Sequence, residues 1–415
     1  MQTTPKALRL HIGIFGRTNV GKSSFLNMAA GQDVAIASPV PGTTTDVVEK
    51  SMELLPLGPV VFLDTAGLDD VSALSAKRLE RTQKALDRTD VALLITEPGA
   101  WGEHEYGLAG ELRRRGKPFL VVVNKADLLA PSAEFLALVE QEAGRPLVVS
   151  SLAADGREAA LADLKRELLR LCPEDLLRTP ALVGDLLPAG GLVVLVVPID
   201  LQAPKGRLIL PQVQTIRDAL DNDSAVAVVK ERELASFLSN LKRPPDLVVC
   251  DSQVVLKMVA DVPPGTKCTT FSILFARFKG DLVELARGAA AIEGLRPGDR
   301  VLVAESCSHH AAEDDIGRVK IPRWLRQYVG ADLAVDHYAG RDYPADLAQY
   351  SLVVHCGSCM LTRGETLLRI QQARDKGVAV TNYGVAISFV QGVLPRVLAP
   401  FPAALEAFEK ARGRA

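Results

Sequence analysis

Gly16-Arg17-Thr18-Asn19-Val20-Gly21-Lys22-Ser23 follows the strand-like run LRLHIGIF and leads into the helix-like Ser24-Phe25-Leu26-Asn27. A strand, a turn of the form G-x-x-x-x-G-K-S and a helix, in that order, form a phosphate loop. They require an α/β sheet with the loop at a strand's carboxyl end. Gly16 and Gly21 let the backbone curl so that its N–H groups, those of Asn19, Val20 and Ser24 among them, face phosphate oxygens. Lys22 neutralises the β- and γ-oxygens, and the Ser23 hydroxyl is the expected ligand of Mg²⁺.

The rest of the chain fits that requirement. From residue 8 to 171, short β-branched runs (LRLHIGIF, VVEKSMELL, VVFLD, VALLI, FLVVVN and LVVSS) alternate with helical stretches, which predicts a mainly parallel sheet with crossover helices. At 415 residues the chain is too long for one ordinary core. Three α/β units are expected: 1–173, 174–265 and 266–415, divided by Cys172-Pro173 and by Pro263-Pro264-Gly265. The middle unit predicts strands at 192–197, 225–229 and 247–250 and a helix opened by Pro211. It carries no catalytic constellation and reads as a packing or dimerisation module. The third predicts a helix over much of 275–294, strands at 301–304, 352–354 and 378–380, and a helix from about 365 to 375.

Further nucleotide motifs follow in order. Asp64-Thr65-Ala66-Gly67 ends VVFLD, which places Asp64 to hold Mg²⁺ through water and Gly67 near the γ-phosphate. Asn124-Lys125-Ala126-Asp127 ends FLVVVN and resembles the guanine-recognition motif of translation-factor-type GTPases. Its aspartate accepts from guanine N1 and N2, which implies GTP rather than ATP. Ser150-Ser151-Leu152 stands where that family has its last base-contacting loop. Pro41-Gly42-Thr43-Thr44-Thr45-Asp46 resembles switch I of Era- and MnmE-like GTPases, although Thr45 replaces their usual arginine. The resemblance makes Thr44 a Mg²⁺ ligand and, with Lys22, Asp64 and Gly67, part of the catalytic set. Leu68 occupies the position of the water-orienting glutamine of Ras-type enzymes. In this subclass an asparagine at the position of Asn19 implies K⁺ stimulation of slow hydrolysis.

Composition removes several classes. A net charge of -2 argues against a broad nucleic-acid surface. Six cysteines do not make a disulfide framework. Ala181 to Ile199 is strongly apolar but is broken by Asp185, Pro188, Gly190 and Gly191, so LVVLVV reads as a buried strand rather than a membrane span. The opening MQTTPKALRLHIGIFG has no apolar leader, and a reducing cytoplasm is expected.

The second chemical signature lies near the C-terminus. Cys307-Ser308-His309 follows RVLVAES, and His355-Cys356-Gly357-Ser358-Cys359 follows LVV, with residues 310 to 354 between the two histidines. Ligands collect at the carboxyl ends of parallel strands, so the groups can converge. Three thiolates suit a [4Fe–4S] cluster with one exchangeable position; Cys₃His suits zinc equally. Cys172, Cys250 and Cys268 have no such company and read as packing residues. His310, Glu313, Asp314 and Asp315 read as a solvated polar loop. Arg318, Lys320 and Arg323 are candidate partners for an anionic ligand.

C-x-H followed by H-C-x-x-C, downstream of an Era-like GTPase unit, resembles the [FeFe]-hydrogenase maturation GTPases along essentially the whole chain. The resemblance implies a [4Fe–4S] cluster on Cys307, Cys356 and Cys359, with His309 and His355 as candidate fourth ligands and Glu305 as a competitor. It further implies transient binding of a diiron precursor bearing CO and cyanide, delivery to apo-[FeFe]-hydrogenase, dealings with radical-SAM maturation enzymes, and a homodimer. The rival is an Era-like GTPase acting on RNA or ribosomes, with a structural zinc site.

Overall fold

Strands expected from alternating β-branched runs are present in the computed structural model, which describes residues 6–30, 48–65, 83–153, 156–172, 181–198, 208–306, 315–340, 343–344, 346–358 and 360–413. The chain divides into two compact units, Met1–Thr179 and Pro180–Ala415.

The first unit holds β1 (Leu10–Phe15), β2 (Val48–Leu54), β3 (Gly58–Asp64), β4 (Val91–Thr96), β5 (Phe119–Val123) and β6 (Leu147–Val148), in the sheet order β2-β3-β1-β4-β5-β6. All neighbours pair parallel except the edge strand β2, which runs antiparallel to β3. Strand side chains alternate between faces. Ile12, Ile14, Leu93 and Val122 join one core layer with Phe25 of the helix Lys22–Ala30, while Phe15, Leu94 and Val123 join the other with Leu112. Phe25 is fully buried. That burial stabilises by roughly 2–3 kcal/mol, more than the ~1 kcal/mol of backbone entropy that a glycine such as Gly21 costs. The helix thus holds the strained loop before it in place. The connection from β1 leads toward β3 and that from β4 toward β5, so a crevice opens between the carboxyl ends of β1 and β4.

The second unit contains two four-stranded parallel sheets. One has the order β10-β9-β7-β8, from β7 (Leu192–Val196), β8 (Ala225–Val229), β9 (Leu247–Cys250) and β10 (Cys268–Thr270). The other has the order β12-β11-β13-β14, from β11 (Arg300–Ala304), β12 (Ala334–Tyr338), β13 (Leu352–His355) and β14 (Ala379–Asn382). The apolar run at 181–199 resolves into β7, whose Val193 to Val196 are fully buried. Among the described residues no helix is long and apolar enough to cross a membrane.

Local chemistry explains where the structure departs from the sequence reading. Pro263-Pro264-Gly265 is a tight turn, closed by Thr266 N–H donating to the Pro263 carbonyl, and β10 beyond it still pairs with β9. The first of these two sheets therefore continues past residue 265. The single helix expected over 275–294 is two, Phe271–Lys279 and Leu282–Ala289, because Gly280 ends the first and the Asp281 carboxylate caps the second through Glu284 N–H at 3.1 Å. β12 was missed because Asp336 and His337 interrupt its apolar pattern. Asp315, expected in a solvated loop, is buried at 2% exposure and accepts from Arg318 N–H at 2.8 Å.

Candidate functional site

The phosphate loop sits at the β1/β4 crevice with its glycines in conformations that side chains resist. Gly16 has φ 142° and Gly21 φ 91°, and Asn19 itself is left-handed at φ 66°. A Cβ on Gly16 would stand 2.2 Å from the Ile95 carbonyl oxygen, and one on Gly21 2.3 Å from Asn124 Nδ2. Lys22 is buried, with Nζ donating to the carbonyls of Gly16 at 2.8 Å and Arg17 at 2.5 Å. Val20 is buried behind the loop, and Ser24 lies in the first turn of the helix. Ser23 Oγ donates to Asp64 Oδ2 at 2.8 Å, while Asp64 Oδ1 is buried without a hydrogen-bond partner. Burial pushes the Asp64 carboxyl above the usual carboxylate range, and the Ser23 hydrogen bond and the Lys22 charge pull the other way. A buried carboxylate oxygen beside a serine hydroxyl is a donor set for a hard divalent cation, so Mg²⁺ fits here.

The base-recognition loops are tied to the phosphate loop through one amide. Asn124 Nδ2 donates to the Val20 carbonyl at 2.9 Å, and Asn124 Oδ1 accepts from Ser151 N–H at 3.1 Å and Ser151 Oγ at 2.7 Å. Lys125 takes φ 60° and reaches Glu97, and Asp127 beyond it is exposed. Ser150 is half-buried next to Ser151. One contact carried no sequence signal: Glu105, fully buried, receives both Arg17 Nε at 2.7 Å and Arg17 Nη2 at 2.6 Å, which anchors the loop from the opposite wall.

Gly21→Ala should therefore break two things at once. Left-handed strain at a non-glycine costs about 1–3 kcal/mol, and Asn124 must move off Val20. The expected result is at least a ~10-fold loss of nucleotide affinity, read by titrating a fluorescent GTP analogue. Unchanged affinity would mean that the Asn124 tie is not needed.

In the second unit, the connection from β11 leads toward β12 and that from β13 toward β14, so their carboxyl ends border the crevice of that sheet. Ala304 pairs with His355, and Cys356 N–H donates to the Ala304 carbonyl at 2.9 Å. Ser306 then meets Cys356 directly: its N–H donates to Sγ at 3.1 Å, and its Oγ lies 2.9 Å from Sγ. His355 is buried at 3% exposure, stacked on Tyr343 at 5.5 Å between centroids, with Nε2 3.2 Å from the Tyr343 hydroxyl. The Arg369 guanidinium covers the Tyr343 ring at 4.9 Å. Burial, helped by Arg369, pushes the imidazole down to about 3, so it is neutral, and its Nδ1 is buried without a hydrogen-bond partner. Glu305, 2% exposed, accepts from Arg318 Nε at 3.4 Å and from the Tyr383 hydroxyl at 3.5 Å.

Of the candidate cations, Arg318 is thus engaged with Glu305 and Lys320 Nζ donates to Gln253 at 2.8 Å, while Arg323 is exposed. Cys172, Cys250 and Cys268 are buried, and burial raises all three thiols, Cys172 to about 11, as suits packing residues. Thr44, Gly67, Cys307, His309 and Cys359 lie outside the described residues, as do His310, Glu313 and Asp314. Among the described residues no group of three His, Cys, Asp or Glu side chains is placed to hold a metal ion.

Three family models match the chain in succession. Residues 11–125 match the 50S ribosome-binding GTPase model, 182–280 the hydrogen maturase F dimerization domain, and 283–400 the hydrogen maturase F tetramerization domain. The chain belongs to the hydrogen maturase F family.

Its N-terminal unit carries a GTPase domain, and that domain has curated relatives. A GTPase Der from Kosmotoga olearia is 35% identical over 126 residues, covering 29% of this chain and 28% of that protein. A tRNA modification GTPase MnmE from Synechococcus sp. (strain JA-3-3Ab) is 40% identical over 151 residues, covering 35% and 30%. The chain thus spans under a third of the length of either relative. Among solved structures, a variant of Aquifex aeolicus Era bound to GDP.AlF4- matches at 21% identity and TM-score 0.35, over 53% of this chain and 93% of that one. The two C-terminal family models are named for assembly, so this hydrogen maturase F chain is built to oligomerise. The tetramerization model falls on the segment that sequence motifs mark for thiolate chemistry.

Proposed function

We propose that the chain is a GTP-hydrolysing carrier that binds a [4Fe–4S] cluster and assembles or delivers a diiron precursor bearing CO and cyanide to apo-[FeFe]-hydrogenase. The observation that carries this reading is the contact of Ser306 with Cys356 Sγ at the crevice of the β11–β14 sheet. Ser306 immediately precedes Cys307 in sequence, which supports a site where the two cysteine-bearing segments meet. A backbone N–H donating to the sulfur, with a serine hydroxyl 2.9 Å away that can donate to it as well, suits a thiolate that carries negative charge to a metal centre. The residues fit the cluster: Cys307, Cys356 and Cys359 would hold it, with His355 Nδ1, His309 or Glu305 for the remaining iron. Such a cluster supplies an exchangeable iron position to which the diiron cargo can attach.

In the nucleotide unit, Lys22 and the backbone from Gly16 to Ser24 bind the phosphates. Ser23, Asp64 and Thr44 hold Mg²⁺, and Gly67 meets the γ-phosphate. Asn124, Lys125, Asp127, Ser150 and Ser151 select guanine. GTP orders the two switch segments and hydrolysis releases them, which we assign to docking with radical-SAM maturation enzymes or to release of cargo. The chain then has three parts, with a first boundary near 173 and a second near 280 rather than 265, since β10 pairs with β9 and the dimerization model runs to residue 280; the middle part would form a homodimer, in a cytoplasmic setting. Asn19, held left-handed beside the phosphates, would take K⁺. Replacing potassium by sodium should then slow hydrolysis, and equal rates in the two salts would remove K⁺ from the mechanism.

The N-terminal match to a ribosome-binding GTPase model favours a second reading, an RNA- or ribosome-associated factor with structural zinc. The net charge of -2 and the two hydrogen maturase F matches speak against it. Anaerobic reconstitution with iron and sulfide, followed by low-temperature EPR of the reduced protein, tests the choice. A spin-half [4Fe–4S]⁺ signal supports the carrier; stoichiometric zinc with no such signal discards it.

A further inference from the structure

Lys279 ends the helix Phe271–Lys279 and is 2% exposed, a costly place for an ammonium group. Its Nζ donates to the Ser358 carbonyl at 3.1 Å and to the Leu361 carbonyl at 2.9 Å. Those two carbonyls flank Cys359 in sequence, and the same segment is closed by Leu361 N–H donating to the Ser358 carbonyl at 3.2 Å. The tie is reciprocal. Arg363, the first residue of the helix Arg363–Asp375, donates from Nη1 to the carbonyl of Phe278 at 2.8 Å and to that of Gly280 at 3.5 Å. That helix start is itself fixed by a capping box: Thr362 N–H donates to Glu365 at 2.9 Å and Glu365 N–H to Thr362 Oγ1 at 3.2 Å. Lys279 thus satisfies carbonyls of the loop leading into the second helix, and Arg363 satisfies carbonyls at and just past the end of the first.

The loop needs such a hold because Ser358 sits at φ 52°, a left-handed conformation that a serine keeps only when its surroundings over-determine it. We infer that Lys279 is a positioning residue for the thiolate loop, fixing the Ser358 and Leu361 carbonyls that flank Cys359 in sequence before any metal arrives. Its charge has a second consequence. A thiolate-ligated cluster is anionic and becomes more so on reduction, so a buried ammonium behind the loop favours the reduced state.

This rests on the cluster reading above, and the test separates the two. Lys279→Met removes charge and donors at similar volume; Lys279→Arg keeps both. GTP hydrolysis, carried by the first unit, is the internal control, and circular dichroism checks folding, with Lys279→Gln replacing the methionine variant if that variant does not fold. After anaerobic reconstitution, Lys279→Met should lose iron to a chelator roughly 10-fold faster and show a more negative reduction midpoint, while Lys279→Arg restores both. Wild-type iron retention and midpoint in Lys279→Met would overturn the inference and leave the carrier reading intact. If the wild type takes up no cluster, the carrier reading fails, and amide hydrogen exchange in the metal-free protein decides on Lys279. Exchange at Leu361 roughly 10-fold faster in Lys279→Met supports the positioning role; equal exchange overturns it.

Discussion

Cys356→Ser should abolish the reduced [4Fe–4S] EPR signal of the proposed carrier and leave GTP hydrolysis at the wild-type rate. The expected effect is close to complete because Cys356 is fixed on both sides: its N–H donates to the Ala304 carbonyl, and its sulfur accepts from Ser306 N–H and lies 2.9 Å from Ser306 Oγ. A serine oxygen is harder and far less acidic than a thiol, so it is a poor ligand to an iron–sulfur centre. The fold should tolerate the change, since Cys356 is only half-buried and serine is nearly isosteric. Iron and acid-labile sulfide per chain, EPR and GTP turnover are the measurements. A variant that retains the full cluster would remove Cys356 from the ligand set; a parallel loss of GTP turnover would show that the two chemistries are not separable.

Asp127→Asn should lower GTP affinity about 100-fold and reverse the preference between guanine and xanthine nucleotides. Asp127 is exposed beyond the left-handed Lys125, where it can accept from guanine N1–H and the N2 amino group. Hydrogen bonds to a charged acceptor contribute about 1.5–3 kcal/mol each. Asparagine offers one neutral acceptor and turns a donor toward another donor, so a loss of about 3 kcal/mol, or roughly 100-fold, follows. Xanthine carries a carbonyl where guanine has its amine, and the asparagine N–H can donate to it. Competition between GTP and xanthosine triphosphate for the purified variant measures this. Unchanged GTP selectivity would mean that the base is read elsewhere, with the Ser150-Ser151 loop the first place to look. Iron content should not change.

The nucleotide unit was legible because its chemistry is local. Gly16, Gly21, Lys22 and Ser23 act within one turn, and strands buried on both faces write themselves as unbroken β-branched runs. The helix break at Gly280 and Asp281 was written there too, as a glycine followed by an N-cap residue, but the apolar residues on either side concealed it. β10 and β12 were not legible: one is three residues long, and the other carries polar residues along a sheet edge.

Long-range partners left no trace in the sequence. Nothing near Arg17 names Glu105 as its anchor 88 residues away, nothing near Cys356 names Ser306, 50 residues away, and nothing near Ser358 names Lys279, 79 residues away. Asp315 looked solvated because a carboxylate in a polar run usually is; the structure buries it by giving it backbone N–H to accept.

What the sequence determined by itself is the residues available: a phosphate-loop motif, an Asn-Lys-Ala-Asp motif and cysteines in a C-x-H and an H-C-x-x-C motif. What only the tertiary structure decided is which carbonyl, amide or charge completes each site. Those partners are chosen by strand order and helix packing, where a buried polar group must find a hydrogen bond at whatever sequence distance the fold supplies it.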